Sequence, residues 1–404
     1  MQKQPNTITV ELFTTLRYTI PSMSKIKIAV NARMLLKDRL DGVGWLAYQT
    51  LKRITQAHPE VEFIFLFDRK FNSEFIFSDN ITPVVIWPPT RHPFLWYIWF
   101  QISVKSLLNK LKPDLFLSHD GFISLGAHCK QLSLIPDINF YHYPKDLPFA
   151  YRIFFNRYFP KYARAADKIV TISHFCKNDI AITYHMQPSE IDVVHIGADT
   201  NYTPLDEQSK QKIRRQYTGD KEYFIFVGSV HPRKNIIRLL QAFDLFKQSS
   251  ESAMKLVIAG SFFWGKTKLD ETLQKMKFKD DVIFTGRVPD AQLPKLMAAA
   301  FCLAFVSYFE GFGIPLVEAM RSGVPIITSN ITSMPEVAGP AALYVNPFKM
   351  EEIADAMIRI SNDSSLRKQL ILNGEVQSKK FSWDAASQEL WSIIKSMLPA
   401  TTKN

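Results

Sequence analysis

Phe224-Ile-Phe-Val-Gly228, Leu256-Val-Ile-Ala-Gly260 and Val282-Ile-Phe-Thr-Gly286 decide the fold. Each is a short, largely apolar run closed by a glycine. Each leads through a polar loop into apolar residues at helical spacing, over Ile236–Lys247, Leu269–Lys277 and Gln292–Ala300. Runs without polar alternation suit strands covered on both faces, as in a parallel sheet sandwiched by helices. Strands alternating with helices impose right-handed crossovers. Glycine just past a strand lets backbone approach a ligand at the carboxyl edge, where open sheets of this kind bind. Two more strands, Phe301–Val306 and Val324–Ser329, flank a helix over Ile314–Arg321. Helices over Met350–Ile360, Ser365–Lys379 and Trp383–Met397 close the pattern.

Upstream the same alternation recurs. Strands are expected over Lys27–Asn31, Phe63–Phe67, Val84–Trp87, Leu115–Ser118, Leu132–Ile135, Ile169–Ile172 and Asp192–Ile196. A glycine loop (Gly42, Gly44) follows the first, leading to a helix over Trp45–Ala57. Residues 197–206, with Asn201 and Pro204, read as a connection. The expected fold class is therefore α/β, with two Rossmann-like parallel-sheet domains facing a central cleft. Residues 1–22 are expected to be an extension ahead of a restart at Met23. Residues 23–203 and 204–380 make the two domains, and a helix within 381–404 packs back toward the first.

Composition narrows the class. Of 404 residues, 47% are hydrophobic and 22% charged, which excludes a disordered or collagen-like chain. Cys129, Cys176 and Cys302 show no C-x-x-C spacing, so structural disulfides and a zinc site are not expected and a reducing cytoplasm is the natural compartment. The longest apolar run, Phe94–Val104, falls well short of the roughly 20 residues that span a bilayer. A net charge of +11, from 49 basic and 38 acidic residues, favours anionic partners.

The most specific motif is Glu310-Gly-Phe-Gly-Ile-Pro-Leu-Val-Glu318, after the strand Phe301–Val306. Gly311 and Gly313 can present bare N–H groups to an oxyanion, and Pro315 suits a first helical turn. Two carboxylates beside a helix start suit sugar or ribose hydroxyls. A helix-dipole role would explain Glu318 but not Glu310 or the glycines.

This stretch resembles the E-x7-E motif of the retaining glycosyltransferase family four, whose fold is GT-B. The likeness extends from Met23 to about Leu398. It continues in Val227-Gly-Ser-Val-His-Pro-Arg-Lys-Asn235, similar to the family's phosphate loop, and in Gly323-Val-Pro-Ile-Ile-Thr-Ser329 and Met334-Pro-Glu-Val-Ala-Gly339. His195-Ile-Gly-Ala-Asp199 is similar to its hinge. The resemblance implies that Glu310 faces the donor hexose and Glu318 holds the ribose. It implies donor contacts at Gly42, Gly44, Gly228, Ser229, Arg233, Lys234, Gly311, Phe312, Gly313 and Ile314. Cations at a helix N-terminus can neutralise a departing diphosphate without a metal, so Arg233 and Lys234 are cast in that role and no cofactor or metal is expected. Many relatives carry arginine where this chain has Ser229.

In the first half, Asp137 falls where relatives read histidine-aspartate, with Pro136 replacing the histidine. His119 is the candidate to fill that catalytic gap, with His142 a lesser one. Ser173 reads first as a helix cap. Arg157, Lys161, Arg164 and Lys168 share helical spacing beside a stripe of Tyr151, Phe154, Phe155, Tyr158 and Tyr162. That pattern fits an anionic membrane surface or a lipid diphosphate acceptor, and equally a helix with aromatics packed inward.

The function implied is transfer of a hexose from a GDP- or UDP-linked donor to a glycan or lipid-linked acceptor, with retention. The setting implied is cytoplasmic, at the inner face of the membrane, in polysaccharide synthesis and with no nucleic-acid partner. The alternatives are a nucleotide-sugar epimerase or phosphorylase on the same fold, or a non-catalytic nucleotide-sugar binder.

Overall fold

The computed structural model describes residues 25–37, 40–261 and 266–399. The extension expected over residues 1–22 lies outside them. The first domain runs β1 (Lys27–Asn31), α1 (Gly42–Ala57), β2 (Glu62–Phe67), β3 (Ile81–Val85), α2 (Pro93–Ile98), α3 (Lys105–Leu111), β4 (Leu115–Ser118) and β5 (Lys130–Leu134). It continues with α4 (Asn139–His142), α5 (Phe149–Ala165), β6 (Lys168–Thr171), α6 (His174–Tyr184) and β7 (Ile191–Val193). The second opens with α7 (Glu207–Thr218), β8 (Tyr223–Val227), α8 (Ile236–Ser250), β9 (Lys255–Ala259), α9 (Lys266–Lys275), β10 (Val282–Gly286) and α10 (Leu293–Ala298). Then come β11 (Cys302–Phe305), α11 (Ile314–Arg321), β12 (Ile326–Ser329), α12 (Met334–Ala338) and β13 (Ala342–Val345). Helices α13 (Met350–Asn362), α14 (Ser364–Ser378) and α15 (Trp383–Met397) follow.

Both sheets are parallel throughout, ordered β3-β2-β1-β4-β5-β6-β7 and β10-β9-β8-β11-β12-β13. Each therefore reverses direction once, between β1 and β4 and between β8 and β11. Such switch points leave a crevice at the carboxyl ends of the strands. Strand β8 is buried at every position, which is why Phe224-Ile-Phe-Val reads as an uninterrupted apolar run.

Four expectations need correction. The third strand is Ile81–Val85, earlier than Val84–Trp87, because Phe63 through Phe67 pair with those residues. Pro83 is tolerated there since β3 lies at the sheet edge. Strand β13 went unread, being a four-residue edge strand with half its positions partly exposed. Gly42 and Gly44 are not a loop: they form the first turn of α1, because Asp41 caps it by accepting from the Gly44 N–H at 2.8 Å. Lys168 does not share the α5 face. It opens β6 and pairs with Asp192 at 2.9 Å.

The aromatic stripe of α5 packs inward. Phe154, Phe159 and Tyr162 are buried around Phe122, while Arg157, Lys161 and Arg164 face solvent. Residues Trp99, Phe100 and Val104 of the long apolar run are likewise buried. Among the described residues no helix is long and apolar enough to cross a membrane. Helix α15 lies against α1 of the first domain: Trp391 stacks on His58 at 3.8 Å, Asp384 accepts from Arg53 at 2.5 Å, and Lys130 donates to the Met397 carbonyl at 2.7 Å.

Candidate active site

The β8–β11 switch point assembles the site. Because β11 pairs directly with β8, the turns leaving their carboxyl ends are neighbours, although Lys234 and Glu310 stand far apart in sequence. After β8 a short turn, Pro232–Lys234, is capped by His231. After β11 the chain crosses to α11 through Glu310. Arg233 Nη1 donates to Glu310 Oε2 at 2.6 Å and to the Phe309 carbonyl at 3.0 Å, and Lys234 Nζ donates to Glu310 Oε1 at 2.5 Å.

All three charges are largely withdrawn from water, Glu310 being 5% exposed and Lys234 8%. Burial pushes the Glu310 carboxyl up, but Arg233 and then Lys234 more than offset it and hold it at about 2. Burial pulls Lys234 down to about 8 against the attraction of Glu310. Burial also opposes Arg233, whose charge Glu310 secures. Burial and then the two cations depress His231 to about 4, so its ring stays neutral near pH 7. Two cations against one carboxylate leave a surplus positive charge at a partly desolvated spot, a setting that favours a further anion.

Asp137, of the first domain, lies against the Gly311 backbone across the cleft. Its charge supports the protonated form of both Arg233 and Lys234. Its Oδ1 accepts from Asn139, at 3.0 Å from the backbone N–H and 2.6 Å from the side chain. Gly311 makes this approach feasible: a Cβ there would sit 2.7 Å from the Pro136 carbonyl and 2.9 Å from Asp137 Cβ. The Gly311 carbonyl in turn accepts from Ser173 Oγ at 2.7 Å and from Cys176 Sγ at 3.3 Å. Ser173 also caps α6, accepting from the Cys176 N–H at 3.1 Å. One serine thus starts a helix in one domain and holds the Glu310 loop of the other.

Glu318 lies in α11, half-buried. Burial raises its carboxyl to about 7, against a hydrogen bond from Tyr202 that lowers it, with Asp199 adding to the rise. Asp199 also lines a hollow of about 450 Å³ with Trp45, Tyr48, Gln49 and Lys52 of α1. Gly228 and Ser229 border the turn after β8, half-buried, and Ile314 opens α11 behind Gly313.

Two proposed contacts are otherwise placed. His119 is 1% exposed beneath α1, its Nε2 is 3.1 Å from Thr50 Oγ1, and burial depresses it to about 4. It is a neutral core imidazole and joins neither Glu310 nor its cations, because the β4 end turns it toward the helix. The Phe312 side chain is core as well, packed on Phe381 at 5.4 Å and near His195, so only its backbone can face a ligand. His142 is drawn aside by Asp179 at 2.7 Å, with its ring on Phe309.

Sequence reasoning passed over Asn235 and Ser333. Asn235 Nδ2 donates to the Val306 and Pro347 carbonyls at 3.0 and 2.6 Å, and Ser333 Oγ donates to the Glu310 and Phe312 carbonyls at 2.9 and 3.1 Å. These bonds fix the loop that carries Glu310. Asn235 closes the phosphate-loop stretch, but nothing local marks this role for either residue, since their partners lie in distant segments.

Residues 40–202 match the family model described as Glycosyltransferase Family 4, and residues 207–377 match the one described as Glycosyl transferases group 1. The chain belongs to this glycosyltransferase family. The O-antigen chain mannosyltransferase B of Escherichia coli is 30% identical over 57% of this chain, and the match spans 61% of that protein, less than two thirds. The O-antigen chain mannosyltransferase RfbU of Salmonella typhimurium is 27% identical over 71% of this chain and 80% of its own length. Anabaena HepE, solved in complex with UDP and glucose, superposes with a TM-score of 0.72 at 16% identity, covering 92% of this chain and 100% of that one. That likeness establishes the two-domain GT-B fold of the chain.

Proposed function

We propose that this chain transfers a hexose, with retention of configuration, from a nucleotide-diphosphate sugar to a glycan or lipid-linked acceptor. The buried Arg233–Glu310–Lys234 cluster carries the reading, because its surplus positive charge sits where a diphosphate would bind. Arg233 and Lys234 hold the diphosphate and gain attraction as negative charge grows on it during bond cleavage. Glu310, released from part of its cation contact, faces the hexose where positive charge develops. Glu318 accepts from the ribose hydroxyls, and the backbone of Gly228, Ser229 and residues 311–314 lines the phosphates and sugar. The acceptor approaches from the first domain past Asp137, on the face from which the diphosphate departs. The leaving phosphate then takes the acceptor proton, so no strong protein base is needed.

The likeness to two O-antigen chain mannosyltransferases favours mannose, making GDP-mannose the first donor to test, and polysaccharide synthesis the setting. Peripheral contact with an anionic membrane belongs to the same proposal. It rests on exposed Phe94 and Phe149 together with the cations of α5. The test is release of nucleoside diphosphate with and without a lipid-linked acceptor, run in EDTA. We expect acceptor-dependent release that chelation leaves intact, since two cations take a metal's electrostatic role. Activity lost on chelation and restored by magnesium or manganese would overturn the metal-free mechanism.

A further inference from the structure

Away from the Glu310 cluster, three side chains are arranged for coordination. His174, His195 and Glu336 each offer one ligand atom, and these atoms lie within 4.8 Å of one another. They belong to three elements. His174 opens α6, His195 follows β7, and Glu336 comes from α12 of the other domain. Glu336 is already fixed in place. Its Oε1 accepts from the His174 N–H at 2.8 Å and lies 2.8 Å from His195 Nε2, while Oε2 accepts from the Phe175 N–H at 3.0 Å. The two imidazoles stand edge to face, with centroids 5.3 Å apart. Among the described residues no hydrogen bond engages the His174 ring, and its exposure leaves it free to rotate. Glu389, on α15, adds a second carboxylate whose charge both imidazoles feel.

We propose that His174, His195 and Glu336 form a binding site for a zinc-class divalent transition metal that bridges the two domains. Two imidazoles and a carboxylate suit zinc, nickel or copper and disfavour calcium and magnesium, which demand oxygen shells. Zinc holds such atoms at about 2.0–2.2 Å, which places ligand atoms about 3.3 Å apart in a tetrahedral shell. The His195–Glu336 pair needs to open by roughly half an ångström, and rotation of the exposed His174 ring closes the rest. Metal binding displaces the proton that His195 Nε2 shares with Glu336, so Nε2 ligates through the freed lone pair and the ring proton sits on Nδ1. The Glu336 oxygens keep their backbone donors, because each carboxylate oxygen has two lone pairs. A water or Glu389 completes the shell. Histidines from one domain and a glutamate from the other make an occupied site a clamp. This site stands whether or not the chain transfers a hexose.

The test is calorimetric titration of the full, tag-free chain with a zinc salt, paired with thermal unfolding. One equivalent should bind with micromolar affinity and raise the melting temperature. His174→Ala should weaken that uptake by roughly tenfold or more. Its fold is preserved, since His174 holds Glu336 only through its backbone N–H. Glu336→Gln, which keeps one oxygen to accept from the His174 N–H but loses the bond to the Phe175 N–H, should abolish the zinc-induced rise in melting temperature. Failure of the parent to take up zinc at about 1 mM overturns the site. So does parental zinc affinity in both His174→Ala and His195→Ala, which would place the metal elsewhere.

Discussion

Glu310 and Glu318 share one loop-and-helix yet meet opposite fields, and this separates their expected roles. Glu310 is held at about 2 between two cations, whereas burial lifts Glu318 to about 7. A carboxyl raised above its unfolded value stabilises the fold below about 4.5, and that contribution is lost as pH rises through about 7. In nucleotide binding the same shift acts through proton release. Ribose hydroxyls donate to the ionised carboxylate, so binding expels a proton wherever Glu318 is protonated. Affinity for the nucleoside diphosphate should therefore strengthen from about pH 6 to 8, by up to tenfold per unit below 7. Glu318→Gln should flatten that component, and calorimetry in buffers of differing ionisation enthalpy reads it directly. An unchanged profile in Glu318→Gln would assign the titration to the phosphates.

Substitution should split the two glutamates kinetically. Glu318→Ala removes hydrogen bonds made alike in ground and transition states and should mainly raise KM, by about ten- to a hundredfold for a contact of roughly 1.5–3 kcal/mol. Glu310→Ala should chiefly lower kcat, and Lys234→Ala should follow it, since their charges matter most as the glycosidic bond breaks. If both glutamate variants turn over like the parent, the motif is only a helix start.

At the scale of elements, legibility tracked how local the determining physics was. Strands β8 and β9 were readable because burial on both faces leaves an apolar run, and the half-buried edge strand β10 because it repeats their apolar run and closing glycine. Strand β13 was not, since a four-residue edge strand carries little pattern. Asp41 moved the start of α1 forward, a capping effect that the eye loses behind Gly42 and Gly44. The residues of the Glu310 cluster were named from their own motifs, but their mutual pairing was invisible. It depends on β8 and β11 lying side by side. The surroundings of His119 were hidden for the same reason, because its partner Thr50 belongs to a helix far upstream. Ser173 links the two levels, capping α6 and donating to Gly311. Ser173→Ala should cost about 1–3 kcal/mol, combining a lost cap with a lost hydrogen bond. A lowered urea midpoint at unchanged slope is the expected reading. A larger fall in kcat than in stability would show that the serine also positions the Glu310 loop.

For the whole molecule, the decisive feature is that the domains are joined by more than their connection. Helix α15 follows the second domain in sequence but rests on α1 of the first, through the Trp391–His58 stack and the Arg53–Asp384 pair. Its entry is tight. A Cβ at Gly197 would lie 2.4 Å from the Trp383 backbone nitrogen and 2.6 Å from the Ser382 carbonyl carbon. Those are backbone atoms, so no side-chain rotation relieves the overlap, and either the connection or the start of α15 must shift. The helix would be displaced as a unit, carrying Trp391 and Asp384 from their partners. Gly197→Ala is therefore expected to uncouple the domains rather than unfold either one. Scanning calorimetry should show the parent melting in one transition and the variant in two, the first well below the parent's. A single variant transition at the parental temperature would mean that α15 does not tie the domains together.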